Sequence, residues 1–163
     1  IDRVNHCIRA GAKRVSSATA AVKYPHLVRE AATAYPGQVI VSIDARGGRV
    51  VVEGWTEATI FTPIAFAREF EDVDLAAIIY TDIDRDEDEP ASSLSHTTEL
   101  AAAIRTPVIA SGVVKSLKDI SVLKFLQNIS GVITSRALFG GAFTLAEAVA
   151  LAGEPVPETA PFI

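Results

Sequence analysis

The chain has 163 residues, of which 49% are hydrophobic, and a formal net charge of −5, so it can bury one hydrophobic core and is expected to form a single domain. The acidic balance argues against a nucleic-acid partner, which would need clustered lysine and arginine. We expect a cytoplasmic protein with no membrane partner, because no stretch reaches the roughly 18 apolar residues of a membrane span, no signal-peptide pattern is present, and Cys7 is the single cysteine.

Apolar periodicity and punctuating glycines and prolines predict alternating helices and strands. In chain order we expect a helix over 2–10, a strand over 14–18, a helix over 25–34, a strand over 39–43, a tight turn at 46–49 into a short strand over 50–52, a helix over 63–71, a strand over 76–80, a helix over 94–104, a strand over 107–110, a helix over 116–126, a strand over 131–134 and a helix over 144–151. The residues from Gly153 onward contain three prolines. We therefore expect one α/β domain over 1–152 and an extended tail over 153–163.

Short strand and helix repeats are typical of crossover units around a parallel sheet. The pattern holds about five such units, fewer than the eight of a complete barrel, which typically needs about 250 residues. The predicted fold class is α/β, with about five parallel strands and crossover helices. Either a partial (βα)8 barrel or a flavodoxin-like open sheet would satisfy it.

The most informative stretch is Ile79 to Asp86, an apolar strand that leads directly into a threonine, three carboxylates and an arginine. The carboxyl ends of parallel strands carry the reactive groups of α/β enzymes. Asp82, Asp84 and Asp86 are not followed by the glycine and glutamate of a calcium loop, so we expect a solvated acidic loop and no bound metal. The segment 87–93 contains no glycine, although a phosphate-binding loop normally needs one.

Four ordered blocks of sequence resemble one family: Val41–Arg46 with Glu53–Thr56, Ile79–Asp86, Val108–Gly112 and Ser135–Leu138. The family is the phosphoribosylformimino-aminoimidazole-carboxamide ribotide isomerase of histidine biosynthesis, a (βα)8 barrel. The resemblance covers nearly the whole chain and aligns it with the third to the eighth helix of the family. It implies that the first three strands, which carry one of the family's two acid-base aspartates, have no counterpart here.

The resemblance implies an Amadori rearrangement that converts an aminoaldose into an aminoketose without cofactor or metal. Such a reaction needs a general acid and a general base that face each other across the substrate. By resemblance, Asp44 matches the family's second catalytic aspartate, Thr81 an assisting threonine and Trp55 a loop aromatic that closes over the substrate. Without the resemblance, the alternatives are a surface ion pair of Asp44 with Arg46 and a strand-end turn at Thr81.

The family's phosphorylated ribotide carries two phosphates, held at opposite sides of the barrel mouth by glycine-rich loops and helix N-termini. The resemblance gives six candidate substrate-binding residues: Arg46, Trp55, Ser111, Gly112, Ser135 and Arg136.

Departures from the family fall at these ligand-facing places. Val113 stands where a second glycine is usual, Ser135 where a glycine normally precedes the arginine, and Ala18 where a glycine precedes Thr19. We expect weaker phosphate binding, because a valine is poorly tolerated where the backbone takes positive φ. The acidic segment 87–93 adds charge that repels an anion.

Three hypotheses follow. The first is a truncated or engineered derivative of the isomerase that is inactive alone and forms a homo-oligomer through an open sheet edge. The second is an isomerase that is active when an N-terminal segment complements it, as in a divergent homologue whose first strands come from another chain. The third is a non-catalytic phosphate- or nucleotide-binding module built on Ser111, Gly112, Ser135 and Arg136.

Overall fold

A computed structural model describes residues 1–86 and 94–153. The predicted substrate loop over 87–93 and the predicted tail beyond Gly153 lie outside these residues. The strands of the described part join one sheet and are β1 Val15–Ser17, β2 Val39–Arg46, β3 Arg49–Val52, β4 Glu57–Ala58, β5 Ala77–Asp82, β6 Val108–Ser111 and β7 Ile129–Ile133.

Five of these strands are parallel and lie in the order β1, β2, β5, β6, β7. The other two, β3 and β4, form an antiparallel extension that begins with a hairpin from β2. The predicted α/β class with five parallel strands is confirmed. Each parallel strand lies beside the parallel strand that precedes it in the chain, as in a segment of a (βα)8 barrel. In a flavodoxin-like sheet, by contrast, the second and third strands lie on opposite sides of the first.

The helices of the described residues are α1 Asp2–Arg9, α2 Thr19–Lys23, α3 Pro25–Ala34, α4 Pro63–Arg68, α5 Ile83–Asp86, α6 Ser95–Ala103, α7 Leu117–Leu123, α8 Arg136–Phe139 and α9 Leu145–Gly153. The predicted helices are all present, although α4 and α7 end earlier than expected and α9 includes Gly153. The sequence analysis missed α2, α5, α8 and β4. Each has five residues or fewer, too short to show a hydrophobic period.

Side chains satisfy the free backbone N–H groups at two helix starts. Ahead of α7, the Asp119 carboxylate accepts a hydrogen bond of 2.9 Å from the Ser116 N–H. Ahead of α9, the Glu147 carboxylate accepts one of 2.8 Å from the Thr144 N–H, and this bond lowers the pKa of Glu147. These caps fix where α7 begins after β6 and where α9 begins after α8.

The two faces of the parallel sheet differ in burial. Alternate residues of each strand face the helices and form the core, including Val41, Ile43, Ile78, Tyr80 and Val108. Burial raises the pKa of the Tyr80 phenol. The intervening positions, among them Ser42, Asp44, Ile79 and Ile109, are only partly buried. In the described residues, one face is therefore packed and the other is more open, although parallel sheets are usually covered on both faces.

Candidate active site

The carboxyl ends of three neighbouring strands bring three predicted site residues into one row. Asp44 of β2 pairs in register with Thr81 of β5, and Thr81 pairs with Ser111 of β6. Register partners on parallel strands point to the same face, and their strands lie about 4.8 Å apart. A carboxylate and two hydroxyls therefore stand side by side on the more open face of the sheet.

The Asp44 carboxylate is partly buried and accepts a hydrogen bond of 2.8 Å from the indole Nε1 of Trp55. Trp55 belongs to the turn between β3 and β4, where Glu53, Gly54 and Trp55 have φ values of 52°, 65° and 71°. Left-handed backbone is uncommon for residues other than glycine. This conformation turns the chain back so that the indole reaches the carboxylate.

A cavity of about 470 Å³ opens beside the row. Six of the eight predicted site residues line it, namely Trp55, Thr81, Ser111, Gly112, Ser135 and Arg136. Asp44 adjoins the cavity through its hydrogen bond to Trp55. Arg46 is not among the lining residues and lies at the hairpin, in register with Arg49. The structure thus gathers the candidates from the ends of β2, β5, β6 and β7 and from the β3–β4 turn, and leaves Arg46 apart.

Two polar residues that the sequence analysis did not predict also line the cavity, Lys115 and Thr134. The Thr134 Oγ1 atom is buried and has no hydrogen-bond partner in the described part of the chain. Lys115 and Arg136 give the cavity two cationic side chains, and its described lining contains no carboxylate. The signal that could have identified Lys115 is a cation four residues after the end of β6.

The premise that Val113 occupies a position of positive φ is wrong. Gly112 takes the positive φ, 78°, whereas Val113 is not among the residues with positive φ. The Val113 side chain is fully buried in the cluster that packs α7 and α9, away from the cavity lining. Ser135 and Ala18 also have negative φ, −130° and −109°. None of these residues is therefore forced into a conformation that favours glycine.

The expected solvated acidic loop is wrong for Asp82, which ends β5 and is buried, whereas Asp84 lies in α5 and is partly exposed. Asp82 is only 2% exposed, and its Oδ2 atom lies 3.5 Å from Nδ1 of His96. Asp84 Oδ2 accepts a hydrogen bond of 2.8 Å from the Gly47 N–H, which ties the β2–β3 turn to α5. Both carboxylates thus contact other parts of the fold. Within residues 1–86 and 94–153, no group of three or more acidic, histidine or cysteine side chains is arranged to bind a metal ion.

The amino-acid sequence is similar to those of a known family. A profile described as histidine biosynthesis protein matches residues 1–144. The chain belongs to this family. It is 53% identical over 139 residues to the 1-(5-phosphoribosyl)-5-((5-phosphoribosylamino)methylideneamino)imidazole-4-carboxamide isomerase of Jannaschia sp. (strain CCS1), covering 85% of this chain and 58% of that relative.

Two further relatives carry the same isomerase name. That of Paramagnetospirillum magneticum is 49% identical over 141 residues, covering 86% of this chain and 59% of the relative. Isomerase 2 of Ruegeria pomeroyi is 42% identical over 161 residues, covering 99% and 65%. The resemblance to the ribotide isomerases of histidine biosynthesis is confirmed, and the chain spans between 58% and 65% of the length of these curated relatives.

No helix in the described part of this family member is long and apolar enough to cross a membrane.

Proposed function

We propose that this chain carries one half of a ribotide isomerase active site and does not turn over substrate by itself. Asp44 is one of the two proton carriers of the Amadori rearrangement, and Thr81 assists beside it. The observation that carries the proposal is the row of Asp44, Thr81 and Ser111 in register beside a cavity with cationic side chains. The relatives' isomerase name supports the reaction class.

The rearrangement needs an acid that opens the sugar ring and a base that removes a carbon-bound proton. In the described residues, the cavity lining includes neither a carboxylate nor a histidine, and Asp44 is the carboxylate adjoining it. The acid and the base must lie on opposite sides of the substrate, so Asp44 cannot fill both roles. The opposing group therefore comes from a complementary segment that covers the open face of the sheet.

The other end of the cavity suits the anionic part of the substrate. Arg136 and Lys115 supply positive charge, and the backbone at Gly112 has no Cβ to hinder close approach. We propose that a phosphate of the ribotide lies there, while the reacting carbon lies near Asp44. Ser111 and Ser135 add hydroxyl groups between these two ends. Arg46 lies outside this cavity, and we propose that it contacts the substrate only when the complementary segment is bound.

A complementation assay tests this function. The purified chain is given the ribotide substrate alone, and then with a separately produced N-terminal segment of a relative that contains its first three strands and first two helices. We expect no turnover by the chain alone and measurable turnover, followed by absorbance, in the mixture. Turnover by the chain alone at the rate of a full-length relative would overturn the proposal.

The second candidate is a non-catalytic phosphate- or nucleotide-binding module. The observation that favours it is that one cavity contains Ser111, Gly112, Ser135 and Arg136 with Lys115, and none of these residues depends on a second proton carrier. Absence of turnover in both arms of the complementation assay, together with saturable calorimetric binding of inorganic phosphate, would favour this candidate over the isomerase.

We also propose that residues 1–152 act as one domain and that two copies associate through the open sheet edge. In the described part of the chain, β1 pairs only with β2 and β7 only with β6, so each leaves one edge free. Large apolar side chains near β7 are exposed, including Ile133, Leu145, Val149 and Phe139, the last at 86%. Light scattering should give a mass that rises with protein concentration, and a strict monomer at high concentration would contradict this.

A further inference from the structure

The β3–β4 turn is attached to α2 by side chains that the proposed chemistry does not use. Lys23, at the end of α2, forms an ion pair with Glu53 in the turn. The Glu53 N–H donates a hydrogen bond of 3.2 Å to Thr19 Oγ1, at the start of the same helix. Within the turn, the Thr56 hydroxyl donates one of 2.7 Å to the Glu53 carbonyl. Glu53 is therefore held by both ends of α2.

The same turn holds the indole of Trp55 against Asp44. Its two residues other than glycine with positive φ, Glu53 and Trp55, lie at 52° and 71°. Such conformations persist only where surrounding contacts maintain them. The contacts with α2 and the bond to Asp44 do so here, together with the backbone hydrogen bond of 3.2 Å from the Thr56 N–H to the Val52 carbonyl. The turn is thus a segment whose position depends on a few polar interactions.

We propose that Lys23 and Glu53 are positioning residues for the candidate active site. Their ion pair holds the β3–β4 turn against α2. In this position of the turn, the Trp55 indole donates its hydrogen bond to the Asp44 carboxylate. Release of the turn frees that carboxylate for substrate. This inference rests on the proposed function, because it concerns how the substrate reaches Asp44.

An exposed ion pair contributes little to global stability, but the opening of a turn is a local equilibrium with a much smaller free energy. A change too small to affect folding can therefore alter how often the turn opens. The hydrogen bond and the charge of Glu53 raise the pKa of Lys23, and Glu57 acts in the same direction. Lys23 therefore keeps its positive charge at neutral pH.

Trp55 is the single tryptophan of the chain, so fluorescence excited at a wavelength that the three tyrosines do not absorb reports on this turn alone. In Glu53→Gln and Lys23→Gln we expect the turn to open about 1.5 to 5 times more often, seen as increased acrylamide quenching of Trp55. The double charge reversal Lys23→Glu with Glu53→Lys should restore the original quenching. Added salt at 1 M, where the screening length is about 3 Å, should increase quenching in the unmodified chain but not in Glu53→Gln.

The matched control removes another exposed ion pair, that of Arg29 with Asp72, which does not contact the turn. Asp72→Asn should leave Trp55 quenching unchanged. Unaltered quenching in both Glu53→Gln and Lys23→Gln would overturn the inference. This readout needs no turnover, so it is independent of the outcome of the complementation assay.

A kinetic readout separates positioning from mere structure. In the complemented protein, more frequent release of Asp44 should lower KM by the same 1.5- to 5-fold factor and leave kcat unchanged, because the competent form is more populated. Circular dichroism should show equal thermal stability. An unchanged or raised KM in Glu53→Gln, with quenching increased as expected, would overturn the role in substrate access while leaving the isomerase proposal intact.

Discussion

Replacement of Asp44 by asparagine in the complemented protein should lower kcat by about 10²- to 10⁴-fold, the usual contribution of a positioned acid or base. The amide has nearly the shape of the carboxylate, and its oxygen can still accept the hydrogen bond from Trp55. It cannot carry the proton. Initial rates at saturating substrate, followed by absorbance, measure the effect.

The control for this variant is Asp74→Asn, the same chemical change at an exposed residue that precedes β5, at the end of the sheet opposite the site. Its rate should equal that of the unmodified protein. Trp55 fluorescence should be retained in Asp44→Asn, which shows that the site remains assembled. If Asp44→Asn kept more than about a tenth of the activity, Asp44 would not be a proton carrier.

Replacement of Asn128 by alanine should destabilise the fold by about 2–4 kcal/mol. Asn128 precedes β7 and has φ 62°. Its side-chain Nδ2 lies within hydrogen-bonding distance of three carbonyl oxygens in the last turn of α6 and the connection to β6, those of Ala101 at 3.1 Å, Ile104 at 3.0 Å and Thr106 at 3.0 Å. Alanine leaves these carbonyls without the donor and adopts left-handed backbone poorly. Thermal unfolding followed by circular dichroism should show a midpoint about 5–15 °C lower.

Two further variants at this position separate the loss of the hydrogen bonds from the strain of positive φ. Asn128→Gly loses the same hydrogen bonds but tolerates positive φ, so it should be more stable than the alanine variant by about 1 kcal/mol. Asn128→Asp keeps the side-chain size but replaces the donor with a carboxylate, and it should be as destabilising as alanine or more so. A midpoint for Asn128→Ala within about 2 °C of the unmodified chain would show that the three carbonyls do not depend on this side chain.

The sequence predicted the long elements well, because their apolar period and end signals agree. Pro25 marks the start of α3, and the apolar run from Val39 marks β2. β2 is longer than predicted, ending at Arg46, because the hairpin to β3 provides hydrogen-bond partners for its polar end. Short elements such as α8 depend on tertiary contacts rather than on local pattern, and the sequence does not reveal them.

The site was predicted through the family blocks more than through periodicity. The bond from Trp55 to Asp44 could not be predicted, because it depends on positive φ at Glu53 and Trp55, neither of which is glycine. The burial of Asp82 could have been predicted. It lies two residues after Tyr80, on the helix-facing side of β5, yet its charge suggested solvent.

Within the described residues, β1 and β7 each have one unpaired edge and one face of the sheet is only partly covered, which matters for enzyme concentration if the proposed complementary segment is a separate polypeptide. If two polypeptides must meet before a proton can be exchanged with substrate, catalytic output depends on the product of their concentrations. Specific activity would then decline on dilution below the dissociation constant of the pair. Flux through such an enzyme would respond more steeply to changes in expression than flux through a barrel folded from one polypeptide.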